Sequence, residues 1–168
     1  MFNTIDKTIT ESFKHYDTQV YEIIGAAMRV HEVLKHGLLE AVYQEALSWE
    51  LEQRGIENIR EKEIEIYYGK HLLEKKYKMD IVAGDIIIEL KSQKKITSVH
   101  RAQLCNYLRL TKKPIGLLIN FGGTSLQGER WVYHEETNEC ILVDKNMEPV
   151  PLKYDPFADG TLEEYITD

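Results

Sequence analysis

The stretch that decides the reading of this chain is "MDIVAGDIIIELKSQ", Met79 to Gln93. Two runs rich in isoleucine and valine flank Ala83-Gly84, which is the pattern of two β-strands joined by a tight turn. Yet Asp80, Glu89 and Lys91 interrupt the apolar pattern, and charged side chains are rarely buried without a partner or a metal. If the turn has two residues at Ala83-Gly84, Val82 faces Asp85 and Asp80 faces Ile87. Side chains alternate along a strand, so Asp80, Ile87, Glu89 and Lys91 then share one face. Asp80 and Glu89 become diagonal neighbours about 7–8 Å apart at the backbone. A three-residue loop without a bulge breaks this parity.

Two carboxylates that lean together can hold one hard cation. Mg²⁺ takes oxygen ligands and keeps several waters, so Asp80, Glu89 and the intervening Leu90 carbonyl leave room for water and a phosphate oxygen. Lys91 points to the same face, where it can orient an attacking water or stabilise charge developing on a phosphoryl group. Taken alone, the same residues also suit a solvent-facing Glu–Lys pair on an edge hairpin.

The surrounding sequence supplies the scaffold. The chain has 168 residues, 43% hydrophobic and 29% charged, which suits one globular domain over residues 1–168. No apolar run approaches the roughly 20 residues of a membrane span. The start has no basic-then-apolar signal pattern. Cys105 and Cys140 are too few for a disulfide framework and lack zinc spacing. A reduced, cytoplasmic protein is expected. The net charge is −7, but residues 70–113 hold eleven basic and four acidic side chains. That local surplus can attract phosphate, although solvated strand and helix faces give the same count. Within it, Lys94, Lys95, His100 and Arg101 are the candidate nucleic-acid contacts.

Apolar spacing predicts a helix in "DTQVYEIIGAAMRVHEVL", with Asp17 or Thr18 as N-cap, and a second in "HGLLEAVYQEALSWELEQRG". The second helix carries Leu39, Val42, Tyr43, Ala46, Leu47 and Leu51 on its apolar face and stops at Gly55. Strands follow over "EKEIEIYYGK", Leu72–Val82 and Asp85–Lys91. A helix from about Ser98 to Thr111, capped by Thr97 or Ser98, leads to the wholly apolar "IGLLINFG". Two later strands lie in "RWVYH" and "CILVD", and could pair between two copies in a homodimer. Residues 1–16 and 149–168 are expected to be irregular. Trp49 and Trp131 are assigned to packing, and Asn120 to a turn. The fold class is α/β (α+β), a mixed sheet flanked by helices.

Two further groups fit the same chemistry. In "SVHRAQLCNYLRLT", His100, Gln103 and Tyr107 fall on one helix face. The Gln–Tyr pair can bind a phosphate or steady the lysine, or be no more than the polar side of an amphipathic helix. Glu40 can reach the metal directly or through water, or only complement the helix dipole.

Together these pieces resemble a known family. "GLLEAVYQEAL" is similar to the signature of the GxxExxY proteins, with Gly37, Glu40 and Tyr43 in the named positions. "YKMDIVAGDIIIELKSQ", "HRAQLCNYL" and "GLLINFG" resemble the rest of it. The resemblance spans roughly His31 to Gly122 and implies the PD-(D/E)XK nuclease superfamily with its restriction-endonuclease-like fold. It implies that Asp80 is the first acidic ligand, that Glu89 and Lys91 are the Glu-x-Lys pair, and that Gln103 and Tyr107 are the Gln-x-x-x-Tyr pair of RecB-type nucleases. Glu40 would be the acid from the first core helix. Met79 stands where the superfamily name has proline. The implied activity is Mg²⁺- or Mn²⁺-dependent hydrolysis of DNA or RNA. A non-catalytic nucleic-acid-binding module on the same fold, or a protein-interaction domain, are the alternatives.

Overall fold

The computed structural model describes residues 7–150; the expected irregularity of 1–6 and 151–168 lies outside them. Residues 7–16, expected to be irregular, form a short helix α1 (Lys7–Glu11) and a 3₁₀ turn at Lys14–Tyr16. Ile9 and Phe13 dock this segment on the core, which offsets the entropy of ordering it. Helix α2 (Asp17–Leu34) follows without a side-chain N-cap: Asp17 is its first residue rather than its cap. Helix α3 (Glu40–Gln53) turns the expected face inward only in part, rotated toward Gln44 and Ser48. Tyr43, Gln44, Leu47, Ser48 and Leu51 are buried, whereas Leu39, Val42 and Trp49 are exposed. Burying Gln44 and Ser48 is possible because each has a hydrogen-bond partner.

Six strands form the main sheet in the order β1-β4-β5-β6-β7-β8. They are β1 (Ile59–Ile64), β4 (Tyr77–Ala83), β5 (Ile86–Lys91), β6 (Ile115–Asn120), β7 (Gln127–His134) and β8 (Glu139–Val143). β5 and β6 are parallel and the other neighbours are antiparallel. A parallel pair needs a crossover, and α4 (Ser98–Thr111) supplies it. The expected strand from Leu72 to Val82 is split. Its first part belongs to a separate two-stranded hairpin of β2 (Tyr67–Tyr68) and β3 (His71–Leu72).

The sheet is covered on both faces, so β5 and β6 read as continuous apolar runs. Ile86, Ile88, Leu90, Leu117 and Ile119 pack with residues of α2 and α3. Ile87 and Leu118 pack with Leu104, Cys105 and Leu108 of α4. Trp131 is buried on the α4 side, as expected, whereas Trp49 is 60% exposed. Gly116 keeps α4 close: a Cβ there would stand 2.8 Å from a Leu104 methyl. At the sheet's outer edge the chain folds back on β8, with Val150 donating its N–H to the Leu142 carbonyl and Val143 bridging Pro149. That covers part of the edge expected to be open for pairing with a second copy.

Candidate active site

The β4–β5 turn lies at Gly84-Asp85, one residue beyond the expected position, because Ala83 pairs with Ile86 and Val82 with Ile87. This shift keeps the parity and tightens the geometry. The register runs back to Ile81↔Ile88, so Asp80 is directly opposite Glu89 rather than diagonal to it. At that point the regular ladder gives way to side chains. The Asp80 N–H donates to Glu89 Oε1 at 2.9 Å, and the Leu90 N–H donates to Asp80 Oδ2 at 2.8 Å. Each carboxylate therefore uses one oxygen to hold the opposite strand, and the strands part around both acids.

The strain continues into β1. Arg60 pairs with Ile81 and Lys62 with Met79, but the intervening Glu61 sits at φ 51° opposite Asp80. A non-glycine residue there costs about 1–2 kcal/mol. Alternation also breaks: Met79 packs on the α4 side with Val82, while Ile81 packs on the α2–α3 side. Such strain is stored where surrounding structure holds a functional geometry. The Lys91 carbonyl accepts from the Phe121 N–H on the β6 side. Polar groups of successive residues point to alternate strand edges, so the Leu90 carbonyl faces the gap that holds Asp80.

Electrostatics follow from this crowding. Glu89 is 3% exposed. Burial pushes its carboxyl well above the usual carboxylate range, and the nearby Asp80 charge adds to the shift; the Asp80 N–H and Lys91 oppose it. Glu40, half-buried at the start of α3, is also raised, first by burial. Lys91 lowers it and Asp80 raises it, which places a third acid within electrostatic reach of the gap.

Lys91 is held from α4. Its Nζ donates to Gln103 Oε1 at 3.2 Å, and Gln103 Nε2 donates to the Tyr107 hydroxyl at 2.9 Å. The four-residue spacing puts both partners on one side of the helix, so the relay fixes the amide's orientation and aims its oxygen at the ammonium. Burial and the Glu89 charge push the Tyr107 phenol up to about 12, so it stays a neutral hydrogen-bonding group.

The Gly37, Glu40 and Tyr43 triplet acquires separate physical roles. Gly37 adopts φ 100° in the turn between α2 and α3, a conformation costly for residues with a Cβ. Tyr43 is fully buried and stacks on Phe121 with ring centroids 4.5 Å apart. Its hydroxyl donates to the Lys35 carbonyl and accepts from the Leu38 N–H. The turn is thereby tied down, and Ser92 Oγ donates to the Leu38 carbonyl from the end of β5. Glu40 emerges from this fixed turn.

Of the expected phosphate contacts, Lys94 and Lys95 are exposed in the loop between β5 and α4. The other two are corrected. Arg101 is 1% exposed, and its Nε donates to both Glu129 oxygens at 3.1 Å. Trp131 Nε1 donates to the same carboxylate, so Arg101 belongs to a buried core network. His100 is buried, and its Nδ1 accepts the Thr97 N–H at 3.1 Å in a capping box. Burial, then Lys91 and Arg101, lower its pKa; a neutral ring that caps a helix is no phosphate clamp.

Sequence reasoning also missed positioning residues. Gln44 Nε2 lies 3.5 Å from Asp80 Oδ1, a long contact from α3. Asn120, assigned only to a turn, grips the Gln93 backbone: its Oδ1 accepts the Gln93 N–H at 3.0 Å and its Nδ2 donates to the Gln93 carbonyl at 2.9 Å. A Cβ on Gly122 would stand 2.0 Å from that same carbonyl oxygen. Full burial of the wholly apolar strand leading to Asn120 was the signal available, since a buried amide must satisfy its own polar atoms.

Among the described residues, no three His, Cys, Asp or Glu side chains cluster closely enough to hold a metal ion. A cation here would take two carboxylates, one main-chain carbonyl and water, which is the donor set that Mg²⁺ accepts. The profile of a family described as PD-(D/E)XK nuclease superfamily matches residues 17–131. No curated protein and no solved structure gives a significant match.

Proposed function

This chain belongs to the PD-(D/E)XK nuclease superfamily, and we propose that it is a divalent-metal-dependent nuclease whose centre is Asp80, Glu89 and Lys91. The observation that carries the reading is the exchange between β4 and β5. There, Asp80 and Glu89 bind each other's strand through main-chain N–H groups. Glu89 Oε2 and Asp80 Oδ1, the latter in only a long contact with Gln44, are left outside this exchange, and the Leu90 carbonyl lies on the same strand edge. A buried acid beside a second, partly buried one is costly without a counter-charge, and the upward shift of Glu89, from burial first and the Asp80 charge next, expresses that cost.

Asp80, Glu89 and the Leu90 carbonyl would hold Mg²⁺ or Mn²⁺, with Glu40 contributing through water. Such an ion neutralises phosphoryl charge and lowers the pKa of water. Lys91, steadied by Gln103 and Tyr107, orients the attacking water and stabilises negative charge on the phosphate. Fixing the ammonium beforehand avoids reorganisation during reaction. Lys94 and Lys95, exposed directly after β5, meet the phosphates of the bound strand. Within the superfamily, the roles of Gly37, Glu40 and Tyr43 support placing the chain with the GxxExxY proteins.

The test is degradation of single- and double-stranded DNA and RNA by purified protein with Mg²⁺, Mn²⁺ or chelator, beside Glu89→Ala. Metal-dependent cleavage by wild type alone supports the reading. A wild type that binds nucleic acid but never cuts it supports a non-catalytic module instead.

A further inference from the structure

The β2–β3 hairpin stands apart from the sheet. Ile64 ends β1 and pairs with Tyr77, which begins β4, so residues 65–76 form an outgrowth at the tip of these strands. The outgrowth closes through the Leu73 N–H, which donates to the Ile66 carbonyl at 2.8 Å, and through the pairs Tyr67↔Leu72 and Tyr68↔His71 around Gly69-Lys70.

Its surface is unusual for a solvated projection. Tyr68 is 81% exposed and Tyr67 58%, with Tyr77 at its base also exposed. Lys70, Lys75 and Lys78 lie among them, exposed as well. Single exposed aromatics need no explanation, but a cluster of them marks contact with a partner. Successive strand residues face opposite sides, so Tyr67 and Tyr68 present their rings to two sides of the hairpin. A flat protein partner engages one side. A flexible strand with splayed bases can use both, because every unpaired base has a face to stack and lysines can follow the backbone. Paired bases in a duplex are already stacked and offer only their edges.

The hairpin is also connected to the proposed centre. The Tyr77 ring lies 5.7 Å from that of Tyr107, the residue that anchors Gln103 and through it Lys91. We propose that the 65–76 hairpin docks single-stranded nucleic acid, with Tyr67 and Tyr68 as stacking platforms and Lys70, Lys75 and Lys78 as phosphate contacts. The strand then runs past Tyr77 to the Asp80–Glu89–Lys91 site. This deepens the nuclease reading and rests on it for the direction of the strand.

The test is fluorescence anisotropy in chelator, with labelled oligonucleotides of about 20 nucleotides: single-stranded DNA, single-stranded RNA and the matching duplexes. The proteins are the full chain, the Tyr67→Ala/Tyr68→Ala double variant and the Tyr67→Phe/Tyr68→Phe double variant. Stacking predicts that the alanines weaken single-strand binding by about 20-fold or more. Duplex affinity and thermal melting stay unchanged, and the phenylalanines retain binding. The two single-stranded arms show whether the platforms accept deoxyribose, ribose or both backbones. Single-strand affinity unchanged by the alanines, or an equal loss for strand and duplex, overturns the proposal. So does a wild-type dimer that the alanines dissociate, since the surface would then serve a second copy. A protein that binds strands through these tyrosines yet never cuts them keeps the hairpin assignment and removes the nuclease reading. Cleavage that is indifferent to both variants does the reverse.

Discussion

Replacing Glu89 with glutamine isolates the central electrostatic feature of the site. Glutamine keeps the Oε1 acceptor for the Asp80 N–H and nearly the same volume, but removes the charge. Glu89 Oε1 lies 2.9 Å from the Asp80 nitrogen. Residues directly opposite each other stand about 5 Å apart at Cβ, and two charges at about that separation repel by about 3 kcal/mol at an effective dielectric near 20. The Asp80 N–H and Lys91 offset part of this, leaving about 1–2 kcal/mol, or about 2–8 °C in melting temperature for a chain of this size. The sign follows from the direction of the shift. Glu89 is raised in the folded state from 4.5, so the folded protein holds this proton more tightly than the unfolded chain. Its contribution is fully present below about pH 4.5 and is lost as pH rises through the folded value. Thermal melts from pH 4.5 to 8 in chelator should show the two proteins converging at the acid end, and Glu89→Gln becoming the more stable toward pH 8. Adding Mg²⁺ or Mn²⁺ should then stabilise wild type far more than the variant. If Glu89→Gln is no more stable than wild type at pH 8 without metal, the crowded-carboxylate account is refuted.

Other substitutions separate the core from the chemistry. Arg101→Ala leaves Glu129 buried without its cation and should cost about 3–5 kcal/mol in urea unfolding; unchanged stability would refute the buried Arg101–Glu129 network as a stabilising element. Gly122→Ala drives a methyl into the Gln93 backbone and should destabilise the fold by about 2 kcal/mol or more, measured the same way. Gln103→Ala frees Lys91 while leaving the core intact. It should lower kcat by about 10–100-fold with the melting temperature unchanged, and Tyr107→Phe should give a smaller loss.

Much of this architecture was legible because local pattern and tertiary environment agree. The unbroken apolar runs Ile86–Ile88 and Ile115–Ile119 are buried on both faces, as their composition implies. Alternation along β5 puts Glu89 and Lys91 on a common face, and turn parity brings Asp80 across from them whether the turn begins at Ala83 or Gly84. What parity could not supply was the bond exchange at Asp80, which depends on a break in the ladder and on Glu61 in a left-handed conformation. Arg101 was misread because its partner Glu129 lies 28 residues away, a pairing invisible to local spacing. His100 looked like a surface cation because its acceptor role depends on the geometry of the helix cap. The inward face of α3 was displaced because Gln44 and Ser48 find polar partners inside, an outcome hydrophobic periodicity does not anticipate.

The central claim is that this constellation cuts phosphodiester bonds when a divalent ion is present. The direct measurement is a cleavage time course on labelled DNA and RNA, started by Mg²⁺ or Mn²⁺ and stopped by chelator, with wild type and Lys91→Ala compared. Wild type should cut only while the metal is available. Lys91→Ala should retain metal-dependent thermal stabilisation, because the carboxylates remain, yet fail to cut. Wild type that cuts none of these substrates, or Lys91→Ala that cuts as fast as wild type, would contradict the account.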